Sequence, residues 1–381
     1  MSGGRGLLSL VSVVVAATSL TLTPAAAQTP TCFGREATIV GAGYVRGTPG
    51  DDVIVTTNGG NLVDRINGRG GDDRICSGDG KDFVRGAAGN DRIRTGGRRD
   101  DIHGGRGKDV IFTERSEDWI KGGPGGDRID GGLDSDTIES DDGNDVVDGG
   151  SGHDMILANP GDDSFEGGDG ADSLWYQKRW ENYDYDAGSV TVDLEAGTAA
   201  TPDGDDRVSG FETVAGTEGD DRLLGSALSE RLLGYAGADT IRARGGDDVL
   251  VGDEESDKVG SDVLDGGDGV DIVDYAGAYE FGVTVDLAEG TSTGQGTDAL
   301  VGIENVGGTT RADTIRGDDG ANLLDGEGGD DVIDGRGGDD VLLGGTSDDQ
   351  LDGGAGVDSA DGGDGIDSCQ NAETVTACEQ P

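Results

Sequence analysis

The stretch GGRGKDVIF, Gly104 to Phe112, decides how the rest of the chain is read. Nine residues on stands TERSEDWIK, Thr113 to Lys121, and after it GGPGGDRID, Gly122 to Asp130. Glycines come and go among the three. An aspartate keeps the sixth place throughout, and a branched apolar residue keeps the eighth.

Counting in nines from Gly59 to Trp175 gives thirteen units without a gap. Position six holds Asp64, Asp73, Asp82, Asp91, Asp100, Asp109, Asp118, Asp127, Asp136, Asp145, Asp154, Asp163 and Asp172. Position eight runs from Ile66, Ile75 and Val84 to Phe165 and Leu174. One more unit, GTPGDDVIV from Gly47, brings Asp52 behind a three-residue shift. The frame returns from Gly216 to Val251 with Asp221, Asp239 and Asp248, and from Asp257 to Asp274 with Asp262 and Asp271. Its third run, Gly308 to Gln370, carries Asp313, Asp331, Asp340, Asp349, Asp358 and Asp367. A period held over this length marks a repeat architecture.

Composition narrows the choice further. Of 381 residues 76 are Gly, only 4% are aromatic, and 79 Asp and Glu against 28 Lys and Arg give a formal charge of −51. So little apolar bulk cannot fill an ordinary globular core. A disordered acidic polymer or a repeat fold remains, and the filled apolar column selects the repeat. Such charge argues against nucleic acid and anionic lipid as partners and for cations.

Each unit divides into a six-residue turn and a three-residue strand. Glycines at positions one, two and four allow positive φ and close backbone approach, and only position eight points inward. Two units should make one coil, rising about 4.8 Å, so the thirteen-unit block should be about 30 Å long. One apolar side chain per unit does not offset the entropy of ordering a Gly-rich turn. The aspartate column adds repulsion. A hard divalent cation answers both problems, since calcium takes about 6–8 oxygens from carboxylates and carbonyls. Ligands are expected two units apart, Asp109 with Asp127 and Asp127 with Asp145, with binding and folding as one process.

The pattern resembles the G-G-x-G-x-D-x-U-x nonapeptide of the RTX, or haemolysin-type, calcium-binding proteins, and covers most of the chain. With TCFGREATIV near the start and SCQNAETVTACEQ at the end, it is similar to secreted actinobacterial members. The resemblance implies an all-β, right-handed parallel β-roll or β-helix solenoid, with several calcium ions in its turns beside the position-six aspartates named above.

Residues 1–27 read as a signal peptide: Arg5, an apolar run from Leu7 to Leu22, and a small-residue site at Ala25-Ala26-Ala27. A soluble, exported protein is expected. The remaining division is a cap at 28–46, repeat blocks at 47–175, 216–274 and 308–370, insertions at 176–215 and 275–307, and a cap at 371–381. Four cysteines fit an oxidising compartment. Of three connectivities, Cys32 with Cys76 and Cys369 with Cys378 is expected, because it clamps both ends where fraying is worst.

Some units depart from the pattern. Thr113–Lys121 lacks the turn glycines, position four is Leu62, Arg98, Ser116, Asp134 or Ser347 in places, and Glu230 or Asn322 takes position six. Weaker or absent calcium is expected there. The insertions resemble each other: SVTVDLEAGT from Ser189 matches GVTVDLAEGT from Gly282, and GFETVAGT from Gly210 matches GIENVGGT from Gly302. They read as spacers with longer half-buried strands. The aromatic segment WYQKRWENYDYD, Trp175 to Asp186, reads as a cover for a repeat block, with an exposed platform for a sugar as its rival.

Catalysis finds little support. His103 and His153 have no nucleophile placed beside them, H-E-x-x-H is absent, and GRGKD lacks the Ser or Thr of a phosphate loop. Acidic pairs such as Asp51-Asp52 are too common to nominate a glycosidase. No long apolar pore-forming region precedes the repeats. The reading is therefore a non-enzymatic calcium-binding protein, structural, adhesive or calcium-sequestering, with cell-surface or glycan partners and no membrane span. A polysaccharide-modifying enzyme with its site on a β-helix face is the alternative, favoured if basic and acidic side chains cluster around a groove.

Overall fold

A computed structural model describes residues 29–57, 63–176, 188–253, 259–277 and 281–378. The expected signal peptide, Leu62, and the aromatic residues Trp180 and Tyr183 lie outside the described residues.

Each nonapeptide contributes a short strand on its last three residues, such as Val110–Phe112, Trp119–Lys121 and Arg128–Asp130. Pairing is parallel and skips one unit: Ile111 lies beside Ile129, and Ile102 beside Ile120. Alternate units therefore feed two facing sheets, one coil per two units, as the eighteen-residue repeat requires. Position eight points between the sheets. Its side chains form one apolar column from Val45 to Ala360 with almost no exposure, while positions seven and nine face outward. The fold is an all-β parallel solenoid; no helix occurs among the described residues.

The sheets differ in length. Among the described residues, the one containing Trp119–Lys121 has 17 strands and the one containing Val110–Phe112 has 21. The two insertions supply the difference. In the first, Gly204–Ser209 continues the parallel stack beside Ser164–Gly170. Thr198–Thr201 and Thr191–Asp193 then run antiparallel and hand the stack on to Arg222–Leu224. The second insertion repeats this with Gly296–Val301, Thr291–Gly294 and Thr284–Asp286. The spacers thus continue the roll, but through antiparallel ribbons added to one sheet alone.

Two buried tyrosines mark these levels: the Tyr176 hydroxyl bonds Asp206, and the Tyr275 hydroxyl bonds Ser292. Two bidentate ion pairs brace the ribbons, Arg244 to Asp193 and Arg336 to Asp286. Trp175 packs on Tyr235 across 6.2 Å on the outside of the roll, whereas Tyr176 is part of the inner core.

Disulfides close both ends in the expected pairing. Cys32–Cys76 ties the N-terminal hairpin to the first coils, and Cys369–Cys378 fastens the strand Ser368–Gln370 to the tail beyond the last strand, Thr374–Thr376. Among the described residues, no helix is long and apolar enough to cross a membrane.

Candidate metal centre

The unit Gly104–Phe112 shows how the turn is built. Gly105 and Gly107, at positions two and four, lie in the left-handed region at φ +118° and +139°. Their N–H groups donate to the carbonyls of Gly122 and Pro124 on the next coil, at 2.8 and 3.0 Å. Gly104, at position one, has no positive φ. It is glycine for space: a Cβ there would lie 2.6 Å from Asp109 Oδ2 and 2.5 Å from the Gly122 carbonyl oxygen. Of the two uses expected of the turn glycines, positive φ and close backbone approach, position one serves the second.

Left-handed geometry persists where glycine is missing. Arg98, Ser116, Asp134 and Ser347 keep position four at φ between +74° and +92°. Even Thr113–Lys121 forms the turn, because the coils above and below dictate its path. Side chains in this region carry a strain cost that glycine avoids.

Position six is almost wholly buried throughout. Each aspartate uses Oδ1 to accept the backbone N–H of the position-six residue one coil earlier. Asp109 N–H meets Asp127 Oδ1 at 2.8 Å, and Asp127 N–H meets Asp145 Oδ1 at 2.6 Å. Two such ladders run along the roll. One passes through Asp52, Asp73, Asp91, Asp109, Asp127, Asp145 and Asp163. The other passes through Asp64, Asp82, Asp100, Asp118, Asp136, Asp154 and Asp172. The second and third blocks repeat the arrangement with Asp221, Asp239 and Asp262, with Asp248 and Asp271, with Asp313, Asp331, Asp349 and Asp367, and with Asp340 and Asp358.

The other oxygen is left over. Oδ2 of Asp73, Asp91, Asp109, Asp127, Asp136, Asp154, Asp163 and Asp172 is buried with no hydrogen-bond partner. The same holds for Asp239, Asp248, Asp262, Asp271, Asp331, Asp340, Asp349 and Asp358. In Asp82, Asp100 and Asp118 that oxygen stands near the Ser77, Thr95 and Thr113 hydroxyls, which replace the position-one glycine. Buried polar atoms are rarely orphaned, and a carboxylate oxygen is the costliest kind. Burial pushes Asp91 up to about 7, Asp127 to about 8 and Asp136 to about 9; the backbone N–H opposes this and neighbouring aspartates add to it.

These features fit a hard cation. Unpartnered Oδ2 atoms and turn carbonyls converge on a space that a Cβ would fill, and every donor is oxygen. No three His, Cys, Asp or Glu side chains converge among the described residues. Carboxylates come singly along each edge, so backbone carbonyls must complete any coordination sphere.

Some rungs are closed by the chain itself. At the start of each block the position-two residue turns its N–H onto the Oδ2 of its own unit: Thr48 onto Asp52 at 2.6 Å, Thr217 onto Asp221, and Thr309 onto Asp313 at 2.7 Å. None of these threonines has positive φ. Glu230 and Asn322 are capped likewise by the N–H groups of Ser226 and Asp318. The Thr217 and Thr309 hydroxyls lie within 3.0–3.2 Å of both carboxylate oxygens.

Sequence reading missed five rungs. Asp206 and Asp298 continue one ladder through the insertions, accepting from the N–H groups of Asp163 and Asp262. Glu212, Glu304 and Glu373 end the other, accepting from Asp172, Asp271 and Asp358. The signal was present in FETV, IENV and AETV, where one glutamate precedes an inward valine. Of the histidines, His153 accepts the Ala171 N–H on an exposed turn, and His103 pairs with Asp101 at 3.2 Å on a sheet face.

A solenoid with a buried, unpartnered carboxylate oxygen at coil after coil belongs to the class of metal-stabilised repeat proteins. The family model for the RTX calcium-binding nonapeptide repeat matches residues 46–176, 206–277 and 307–369 in overlapping segments, and the chain belongs to that calcium-binding family. Comparison with curated proteins finds no match.

Proposed function

We propose that the chain is an exported calcium-binding scaffold whose folding is coupled to the metal, acting as a structural, adhesive or calcium-sequestering element outside the cell. The row of buried, unpartnered Oδ2 atoms carries this reading. The ligands are Oδ2 of the position-six aspartates inside each block, joined by turn carbonyls such as that of Gly122. Asp52, Asp221 and Asp313 close their ladders through threonine donors, and calcium binds weakly or not at all at those rungs. Bound calcium neutralises carboxylates that otherwise repel one another in a poorly solvated edge. Repeat blocks at 47–175, 216–274 and 308–370 are the calcium-loaded units, with 176–215 and 275–307 as braces. The two disulfides and the charged N-terminal leader support export.

Calorimetry of the metal-free protein with calcium, read beside circular dichroism, tests the proposal. β-sheet signal should rise with calcium and saturate at several ions per chain. An unchanged spectrum up to millimolar calcium defeats it. The alternative, a polysaccharide-modifying enzyme on a sheet face, draws on a groove lined by Arg65, Arg85, Asp101 and His103. That groove has a more specific reading.

A further inference from the structure

Charge is unevenly spread along the roll. Residues 29–128 hold 16 Lys and Arg and 16 Asp and Glu, and only Arg5 is charged before them, so a net charge of −52 resides beyond residue 128. Nine of those sixteen acids are the buried ladder residues Asp52 to Asp127, so the exterior of these first coils is strongly basic. The acidity that the net charge spreads over the whole chain belongs to its later coils.

Both sheets carry cations: Arg74, Arg92, Arg94 and Arg128 stand on one, where Arg92 and Arg94 lie over the Phe33 ring, and the other presents an ordered, open row. Position nine carries Arg46, Asn67, Arg85, His103 and Lys121 on successive rungs, in register. Beside it, position seven carries Tyr44, Arg65, Phe83, Asp101 and Trp119. Every rung presents a basic side chain or a histidine, with Lys121 on the last rung paired to Glu139 and Asp141 at 2.5 and 2.8 Å. An aromatic ring recurs on every second rung, a spacing of about 9.6 Å for strands about 4.8 Å apart.

Two shallow depressions of about 290 and 370 Å³ meet along these columns at Arg85 and His103. Arg46, Arg65, Arg85 and Arg106 have no carboxylate partner among the described residues; Arg65 instead lies 4.7 Å over the Phe83 ring. In the later coils Arg231, Arg242, Arg244 and Arg336 are all paired with aspartates.

We propose that this face binds an acidic polysaccharide, one with carboxylate or sulfate groups on alternating sugars. Aromatic rings stack on the apolar faces of sugars, and unpaired guanidinium groups take the acid groups. Rings on alternate rungs suit a two-sugar repeat. An oligonucleotide would call for a ring and a cation at each base and phosphate. The acidic later coils of a second copy would share the electrostatic attraction, but they offer no sugar faces for the aromatic rings to stack on. The site deepens the scaffold reading, since it needs the rigid rung spacing of the folded roll.

The test uses the calcium-loaded protein and a hyaluronan octasaccharide, which alternates acidic and neutral sugars. A chondroitin sulfate octasaccharide, neutral maltooctaose and an eight-residue oligothymidylate complete the set. Both acidic glycans should bind, more weakly as salt rises, and maltooctaose should not. Joint replacement Arg46→Gln, Arg65→Gln and Arg85→Gln should weaken binding by about tenfold or more, as should Phe83→Ala with Trp119→Ala. The charge-matched control Arg128→Gln, Arg222→Gln and Arg316→Gln should leave it unchanged.

These positions face outward, so each variant should keep the calcium-induced dichroism. If calcium induces no fold, the scaffold reading fails, whatever the binding result. If the folded protein binds no acidic glycan, binds oligothymidylate equally well, or ignores the aromatic replacements, the glycan site is overturned. Self-association in sedimentation velocity that disappears with the three arginines would overturn it in favour of a second copy.

Discussion

Asp127 and Asp221 occupy the same place in the same nonapeptide, yet their carboxylates have different fates. Both are buried, and both give Oδ1 to the N–H of the preceding coil. At Asp127 the position-two residue is Gly123, left-handed at φ +105°, and Oδ2 is orphaned. At Asp221 it is Thr217, which is not left-handed, and its N–H and hydroxyl reach the carboxylate. One backbone torsion decides whether the peptide or an ion must satisfy the oxygen. Capped rungs stand where a block begins, and orphaned rungs fill its interior.

The largest test of this contrast is pH in the absence of calcium. Interior carboxylates have folded-state pKa values raised by burial, to about 8 at Asp239 and Asp331 and about 7 at Asp163. A group raised above its unfolded value contributes stability below that unfolded value, about 4, and loses it as pH rises through the folded one. EDTA-treated protein should therefore gain β-sheet dichroism on acidification below pH ~4 and lose it between pH ~6 and ~9. A spectrum insensitive to pH across that range would remove the desolvated ladder from the account.

Next comes Asp127→Asn against Asp221→Asn. With calcium bound, the first should cost on the order of 3 kcal/mol in urea unfolding, the scale of losing a buried charge partner. The second should cost about 2 kcal/mol with or without calcium, because the single amide oxygen keeps one of the two N–H donors, Val190 or Thr217, and strands the other. In EDTA the sign at residue 127 should reverse, since the neutral amide relieves a buried charge. Equal costs at both positions would erase the distinction between the rungs.

The smallest effect is Thr217→Val, which removes the hydroxyl but keeps the backbone donor. It should cost about 1 kcal/mol in thermal or urea unfolding and leave calcium stoichiometry unchanged. An increase in bound calcium would indicate that the hydroxyl had been excluding an ion.

Much of this was legible in the residues. A nine-residue period with one inward side chain leaves only one way to stack, so the roll, the Ile column and the Asp register followed directly. Cysteine pairing followed from placement at the two ends. What stayed hidden depends on neighbours a coil away. Asp206 and Asp298 join the ladder after a hairpin that shifts the count, and Glu212 reaches its rung only because its longer side chain spans an altered turn. Which turn glycine serves torsion and which serves close approach was hidden too, since composition reveals a missing Cβ but not which of the two requires it. The basic face was masked by the net charge, which averages a balanced first third with an acidic remainder.

The capped rungs also set how damage spreads. Each interior rung leans on the one that follows, so fraying that begins at Asp367 is free to travel back through Asp349 and Asp331. At Asp313 it meets a carboxylate already satisfied by Thr309, and the front has no reason to advance. Residues 221 and 313 are thus the expected firebreaks, and a force–extension trace of the calcium-loaded protein should pause at them.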